Sequence, residues 1–348
     1  MYKNYKIVVN TAAGRRRYMQ YLIPFVVGCD LVDRYDIWVN THNGADIEFF
    51  KRCANCYPKI NLVWQPDGVV NGIASINAFY RKCCDEDTIY FKLDDDIVWM
   101  EPDLIEKMVE FRIANPHYFV VSPLVINNAL STYLLQIDEK ISLTRYFNSS
   151  ASSIVLWKSG KFAADLHKWF FEGYLQTGRY EELYVGLKEM GMCRFSINCI
   201  LWFGKDLKKI GGVIPGDDEE FMSCIYPTKL GKSNAWNGDA IMAHFAFYPQ
   251  RVELDQMKIL DQYGKFLHTE WAKTEKMRNI DETIQKMKKE IDSNEDKYMT
   301  MPSPYKYGEK KKVPFKSKIL KLFPKDFQTI ISEMYLTHLS KKLTFITK

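Results

Sequence analysis

Three consecutive aspartates, Asp94, Asp95 and Asp96, close an apolar run that reads Ile89-Tyr90-Phe91-Lys92-Leu93. Adjacent carboxylates repel one another unless a cation shares them, so their chemistry is to hold a divalent metal and, through it, phosphate oxygens. The run before them is β-branched and aromatic and follows the polar turn Asp85-Glu86-Asp87, which predicts a short buried strand. Acids directly after such a strand lie at its carboxyl end, where open α/β sheets bind ligands. A second apolar segment, Ile97-Val98-Trp99-Met100, follows at once. A solvated acidic loop does not need core on both sides, although an Asp-rich surface turn is the plain structural alternative.

Three further groups carry side chains fit for chemistry. Gly216-Asp217-Asp218-Glu219-Glu220-Phe221 follows Lys209-Ile210-Gly211-Gly212-Val213. Clustered acids raise one another's pKa, so that one can take a proton while its neighbour holds a hydroxyl. The same acids also suit the first turn of a helix. His244 lies in the alternating stretch Ala243-His244-Phe245-Ala246-Phe247. It reads either as a satisfied core histidine or as a metal ligand, and imidazole suits Mn²⁺ better than Mg²⁺. Thr11 and the basic run Arg15-Arg16-Arg17 follow the first predicted strand, and Arg81 precedes the strand of the aspartates. Each arginine is either a solvated charge or a contact to a diphosphate.

The elements that must position these residues alternate. Lys6–Asn10, Tyr35–Thr41, Asn61–Gln65 and Ile89–Leu93 read as strands, with helices over Arg15–Val27 and Gly72–Cys84. Repeated β-α-β units of this length predict an α/β fold with a mostly parallel central sheet and helices on both faces. No GxGxxG dinucleotide fingerprint is present. Further along, Glu101–Asn115, Lys161–Phe171, Glu181–Met190, Leu254–Met277 and Ile280–Ile291 carry helix signals. Tyr118–Ile126, Ile197–Phe203 and Ala240–Tyr248 read as strands. The long polar and aromatic segment over residues 128–190 is a plausible acceptor-side insertion.

The strand followed by three aspartates resembles the DxD motif of nucleotide-sugar glycosyltransferases with the GT-A fold. Lys6-Ile7-Val8-Val9-Asn10-Thr11 before it, and Gly216–Phe221 and His244 after it, stand in the matching order over about residues 5–250. The similarity is greatest to family 2-like bacterial enzymes of surface polysaccharide synthesis. It implies a Rossmann-like GT-A fold in three parts. Residues 1–127 form the nucleotide-sugar-binding half, residues 128–253 the acceptor half, and residues 254–348 a helical, basic C-terminal extension. The resemblance implies Mn²⁺ or Mg²⁺ held by Asp96 and His244. It places Asp94, Asp95, Thr11, Arg15 and Arg81 about the nucleotide sugar. Asp218 becomes the general base, with Asp217 and Glu220 beside it for the acceptor. The implied reaction moves a sugar from a nucleoside-diphosphate donor, a UDP-sugar, to a glycan or lipid-linked acceptor, with inversion. The chain departs from that family in having Asp217 where it has Glu, and four acids in a row, which leaves the register open by one residue. A nucleotidyltransferase also fits paired acids on such a sheet, but normally shows a glycine-rich phosphate loop that Thr11–Arg17 lacks. A non-catalytic carbohydrate- or membrane-binding module, with the acids holding Ca²⁺, is the alternative from another class.

Composition sets the limits of these readings. The chain has 348 residues, of which 47% are hydrophobic and 14% aromatic, enough for a large globular core. No apolar stretch approaches the ~18 residues of a membrane span, and Met1–Lys6 leads into a strand without a signal-peptide core, which predicts a cytoplasmic protein. Eight cysteines fit a reducing compartment; Cys53 and Cys56 have CxxC spacing without a second metal-binding pair, and Cys83 and Cys84 are adjacent on a predicted helix. Asn148-Ser149-Ser150 matches a glycosylation sequon that has no meaning in that compartment. From Pro304 to Lys348 eleven lysines face three acids, a net of +8, so residues 1–303 carry −3 of the chain's +5. The lysines alternate with Ile319, Leu320, Leu322 and Phe323, a pattern suited either to an anionic membrane surface or to a solvated terminal helix packed on the body. The acidic body and the lack of a recognition motif argue against nucleic acid as a partner.

Overall fold

The predicted strands assemble into one nine-stranded sheet in the computed structural model, which describes residues 1–143 and 154–308. In chain order the strands are β1 (Lys6–Ala13), β2 (Arg34–Val39), β3 (Ile60–Trp64), β4 (Val69–Val70), β5 (Thr88–Leu93) and β6 (Ile97–Met100). They continue with β7 (Val121–Ile126), β8 (Leu187–Gly191), β9 (Cys199–Phe203), β10 (Asn234–His244) and β11 (Lys306–Tyr307). The sheet order is β3-β2-β1-β5-β9-β7-β10-β6, with β8 also on β10, and β4 and β11 form a separate pair. Strands β1, β2, β3 and β5 are parallel. β9 runs against both β5 and β7, so β7 and its parallel neighbour β10 return to the first direction. Six strands therefore point one way, and only β6, β8 and β9 oppose them. This is the mostly parallel α/β sheet that the sequence predicts, and the two halves expected within residues 1–253 share it.

Alternate side chains of each strand enter different cores, as the two-residue period of a strand requires. Val8, Trp38, Tyr90 and Trp202 belong to one apolar cluster, and Ile7, Val9, Ile37, Ile89, Phe91 and Phe203 to the other. Helices Gly44–Cys56 and Leu104–Ala114 bury Phe49, Phe50, Leu104 and Met108 in the second. Helices Ala129–Ile137, Gly160–Phe170 and Ile259–Trp271 bury Leu130, Phe170 and Tyr263 in the first. Both faces are covered, which is why the central strands are apolar throughout rather than alternating.

Several local expectations change. Helix Gly44–Cys56 was not legible as such; Asn43 caps it by accepting from the Asp46 N–H. Gly72–Cys84 yields only the short 3₁₀ helix Ile76–Lys82, preceded by Gly72 at φ +54°. Glu181–Met190 breaks at Gly186 into the turn Tyr180–Leu183 and the edge strand β8. Leu254–Met277 divides at Lys258, whose left-handed φ of 55° separates Arg251–Gln256 from Ile259–Trp271. All eight cysteines are free thiols, with Cys53 and Cys83 buried. Among the described residues no helix is long and apolar enough to cross a membrane. Asn148-Ser149-Ser150 and the basic tail from residue 309, with Lys310-Lys311-Lys312, lie outside the described residues.

One buried group makes the core sensitive to acid. His167 is fully enclosed; its Nε2 lies 2.8 Å from the Phe245 carbonyl and its Nδ1 3.0 Å from the Tyr263 hydroxyl. The neutral ring satisfies both partners by donating from Nε2 and accepting at Nδ1. Burial pushes its pKa down from 6.5 to about 4. Above the unfolded value both states are neutral and the group has no effect. Between that value and about 4 only the unfolded chain takes up the proton, so stability falls with falling pH, by about 3 kcal/mol in all. His167→Gln keeps a donor and an acceptor but cannot titrate. Urea unfolding at pH 7 and pH 4.5 should show the wild type losing more stability than the variant; equal losses would remove His167 as the cause.

Candidate functional site

The three aspartates sit where β5 ends, and each has a different set of partners. The Asp94 carboxylate accepts from Lys92 Nζ at 2.6 Å and from Asn198 Nδ2 at 3.0 Å. Asp95 turns to the loop after β1, accepting from the Gly14 N–H and from Arg15 Nε, each at 3.0 Å, and from Arg15 Nη2. Asp96 accepts from Arg15 Nη2 at 2.9 Å and faces His244 Nε2 at 3.2 Å and Arg251 Nη2 at 3.5 Å. Asp95, Asp96 and His244 are buried, while Asp94 is half-exposed. Burial pushes the Asp96 carboxyl up, but Arg15 and His244 outweigh it and hold the group at about 2. Burial pushes the His244 imidazole down, and Asp96 reverses this, leaving its pKa raised.

Ligand atoms of Asp94, Asp96 and His244 lie within 4.8 Å of one another. Two carboxylates and an imidazole form an oxygen-rich donor set that fits Mg²⁺ or Mn²⁺, with the nitrogen favouring Mn²⁺. A cationic side chain already stands there, since Arg15 bridges Asp95 and Asp96.

Strand order explains the convergence. β1 and β5 are neighbours, with Asn10 opposite Lys92, so the loop after β1 reaches the acids after β5. His244 ends β10, where the pairing with β6 shifts register between Ala243 and His244. The Phe245 N–H donates to the Asp96 carbonyl at 2.8 Å, which fastens the end of β10 to the acid turn.

The second acidic motif sorts its four members. Asp217 caps the turn Asp218–Glu220 by accepting from the Glu220 N–H. Arg194 faces Asp217, Glu219 and Glu220 at 3.2, 3.1 and 3.7 Å. Asp218 alone turns inward and accepts from the Tyr80 hydroxyl at 3.1 Å. Burial pushes its carboxyl above the usual range, although Lys92 opposes this. The Lys92 ammonium, itself buried, thus interacts with Asp94 by contact and with Asp218 through the field.

Of the residues singled out by sequence, Arg15, Asp94, Asp95, Asp96 and His244 come together. Asp218 lies within electrostatic range of Asp94, and Asp217 and Glu220 flank it at the surface. Thr11 is fully buried, and its hydroxyl accepts from Tyr35 at 3.1 Å. Arg81 is exposed and paired with Asp67. Lys92, Asn198, Tyr80, Arg194 and Arg251 were missed. Only Lys92 left a local signal, a charge inside an apolar run on the same strand face as Asp94.

No family model and no curated protein sequence matches the chain. Solved structures with some likeness include the CMP:2-keto-3-deoxy-manno-octonic acid synthetase complexed with CTP. It is 10% identical, with 74% of this chain and 98% of that chain covered and a TM-score of 0.41. Another is glucosyl-3-phosphoglycerate synthase from Mycobacterium tuberculosis in complex with Mg²⁺ and uridine diphosphate, 13% identical over 77% and 79% of the two chains, with a TM-score of 0.39. A third, 4-diphosphocytidyl-2C-methyl-D-erythritol synthase, is 10% identical over 74% and 99%, also with a TM-score of 0.39. Such a likeness transfers no residue and no activity.

Gly212 sets the acidic motif against Tyr80. Its φ is +67°, and a Cβ there would stand 2.4 Å from the Tyr80 carbonyl oxygen; Gly211, at φ +58°, faces open space. Alanine at either position costs about 1 kcal/mol of backbone strain, but only Gly212→Ala also drives Tyr80 backbone from its place. Gly212→Ala should therefore lower the denaturant midpoint well beyond Gly211→Ala, and matching midpoints would refute the packing role.

Proposed function

We propose that this protein is a metal-dependent glycosyltransferase that moves a sugar from a nucleoside-diphosphate donor, a UDP-sugar, to a hydroxyl of a glycan or lipid-linked acceptor. The observation that supports it is the convergence of Asp94, Asp96 and His244 at the carboxyl end of β5, in the field of one inward acid, Asp218. Bound Mn²⁺ or Mg²⁺ supplies neutralisation of the departing diphosphate. Asp96 and His244 would hold that ion, with Asp94 beside them to meet the ion or the ribose. Lys92 and Asn198 fix the Asp94 carboxylate from both oxygens. Asp218 takes the proton of the acceptor hydroxyl as that oxygen attacks the anomeric carbon. The Tyr80 hydroxyl orients Asp218, and burial raises its basicity for the task. A base opposite the leaving group gives inversion. Asp217 and Glu220 line the acceptor side.

Calorimetry of UDP in Mn²⁺ and in EDTA tests the donor site; binding is expected only with the metal, and Asp96→Ala should abolish it without unfolding the chain. Equal affinity in EDTA would end the metal role. Incubation with UDP-sugars and acceptors should release UDP, whereas pyrophosphate from a nucleoside triphosphate would mean nucleotidyl transfer instead.

Asp218→Asn should retain donor binding and lose about 10²–10⁴-fold in turnover. Since a base works only when deprotonated, the wild-type rate should rise with pH through a value above the ordinary carboxylate pKa. A variant with normal turnover, or a loss at Glu219 or Glu220 instead, would move the base to another acid.

A further inference from the structure

Resting on that reading of the site, we propose that Arg15 is an exchangeable counter-ion that bars the bare metal and yields to the metal–diphosphate pair. Each of the three acids already meets a cation. The carboxylates of Asp94, Asp95 and Asp96 face Lys92, Arg15 and Arg251. A divalent cation entering alone adds two positive charges among largely buried groups that already meet three cations, where charge is poorly screened. A nucleotide sugar brings a doubly negative diphosphate, so the cation and donor together add no net charge.

Arg15 is placed to make the exchange. It stands in the loop after β1, directly before helix Arg16–Gly28, and its side chain is 27% exposed, so part of it already meets solvent. Its Nη1 is buried without a partner, as is Nε of Arg251. Both guanidinium groups thus hold a donor in reserve that a phosphate oxygen would satisfy. Released from Asp96, Arg15 pairs with the incoming diphosphate. Its neighbours differ: Arg16 is engaged by Asp46, Asp292 and Glu295, and Arg17 by Asp255.

The test is the binding of Mn²⁺ alone and of Mn²⁺ with UDP, followed by calorimetry and by the spin resonance of free Mn²⁺. For the wild type, Mn²⁺ alone should bind at least about tenfold more weakly than Mn²⁺ in the presence of UDP. Arg15→Gln should shift the two in opposite directions, gaining about tenfold or more for Mn²⁺ alone and losing affinity for the pair. Arg17→Gln, which removes the same charge two residues away, should change neither. A merely structural role of Arg15 would weaken both. Circular dichroism establishes that Arg15→Gln is folded; should it not be, Arg251→Gln carries the same expectation for Mn²⁺ alone. Wild-type protein that binds Mn²⁺ equally well with and without UDP overturns the proposal, as does a folded variant with no gain. If UDP binds under no condition, the donor reading fails, while the Mn²⁺-alone comparison still decides the role of Arg15.

Discussion

Holding three adjacent carboxylates inside a folded chain is the constraint on which this structure turns. A buried charge left unpaired costs several kcal/mol, so every acid must find a cation or a donor. Each finds its own set, with Arg15 shared by two: Asp94 takes Lys92 and Asn198, Asp95 the Gly14 N–H and Arg15, and Asp96 Arg15, His244 and Arg251. These partners come from β5 itself, the loop after β1, the approach to β9, the end of β10 and the helix beyond it. Charge compensation thus joins five stretches of chain that apolar packing alone would leave free to drift.

A line of bonds carries the same constraint into the core. The Phe245 N–H holds the Asp96 carbonyl, and the Phe245 carbonyl is held in turn by buried His167, which meets Tyr263 on its other side. The acid turn is therefore braced by helices Gly160–Phe170 and Ile259–Trp271, far along the chain. The register shift in β10 is part of this arrangement, because it brings His244 to Asp96 while β10 still pairs β7.

The second acidic motif is organised by separation. Arg194 gathers Asp217, Glu219 and Glu220 at the surface, and Asp218 goes inward to Tyr80. Surface ion pairs of this kind contribute little stability. Their effect here is to hold the exposed Asp217 and Glu220 and the half-buried Glu219 on one arginine. Lys92 then lies between Asp94 and Asp218 in the electrostatic sense, moderating both.

The pattern of apolar runs and turn residues determined the parallel strands β1, β2, β3 and β5, the place of the aspartates at a strand end, and the order of His244 and the second acids after them. These features are local, since period-two burial and turn chemistry are written in neighbouring residues. The antiparallel insertion of β9, the strand at Ile97–Met100 and the short 3₁₀ helix at Ile76–Lys82 depend on pairing partners distant in sequence, so no window of the chain contains them. The roles within the site divide in the same way. Residue type alone marked the acids as a cation site, but did not say which acid of the second motif turns inward, nor that Thr11 belongs to the core. Asn198, Arg194 and Arg251 became visible only in three dimensions, and Lys92 left no more than a charge inside an apolar run. A lone Lys, Asn or Arg has no chemistry of its own until folding sets a carboxylate against it and removes the water between.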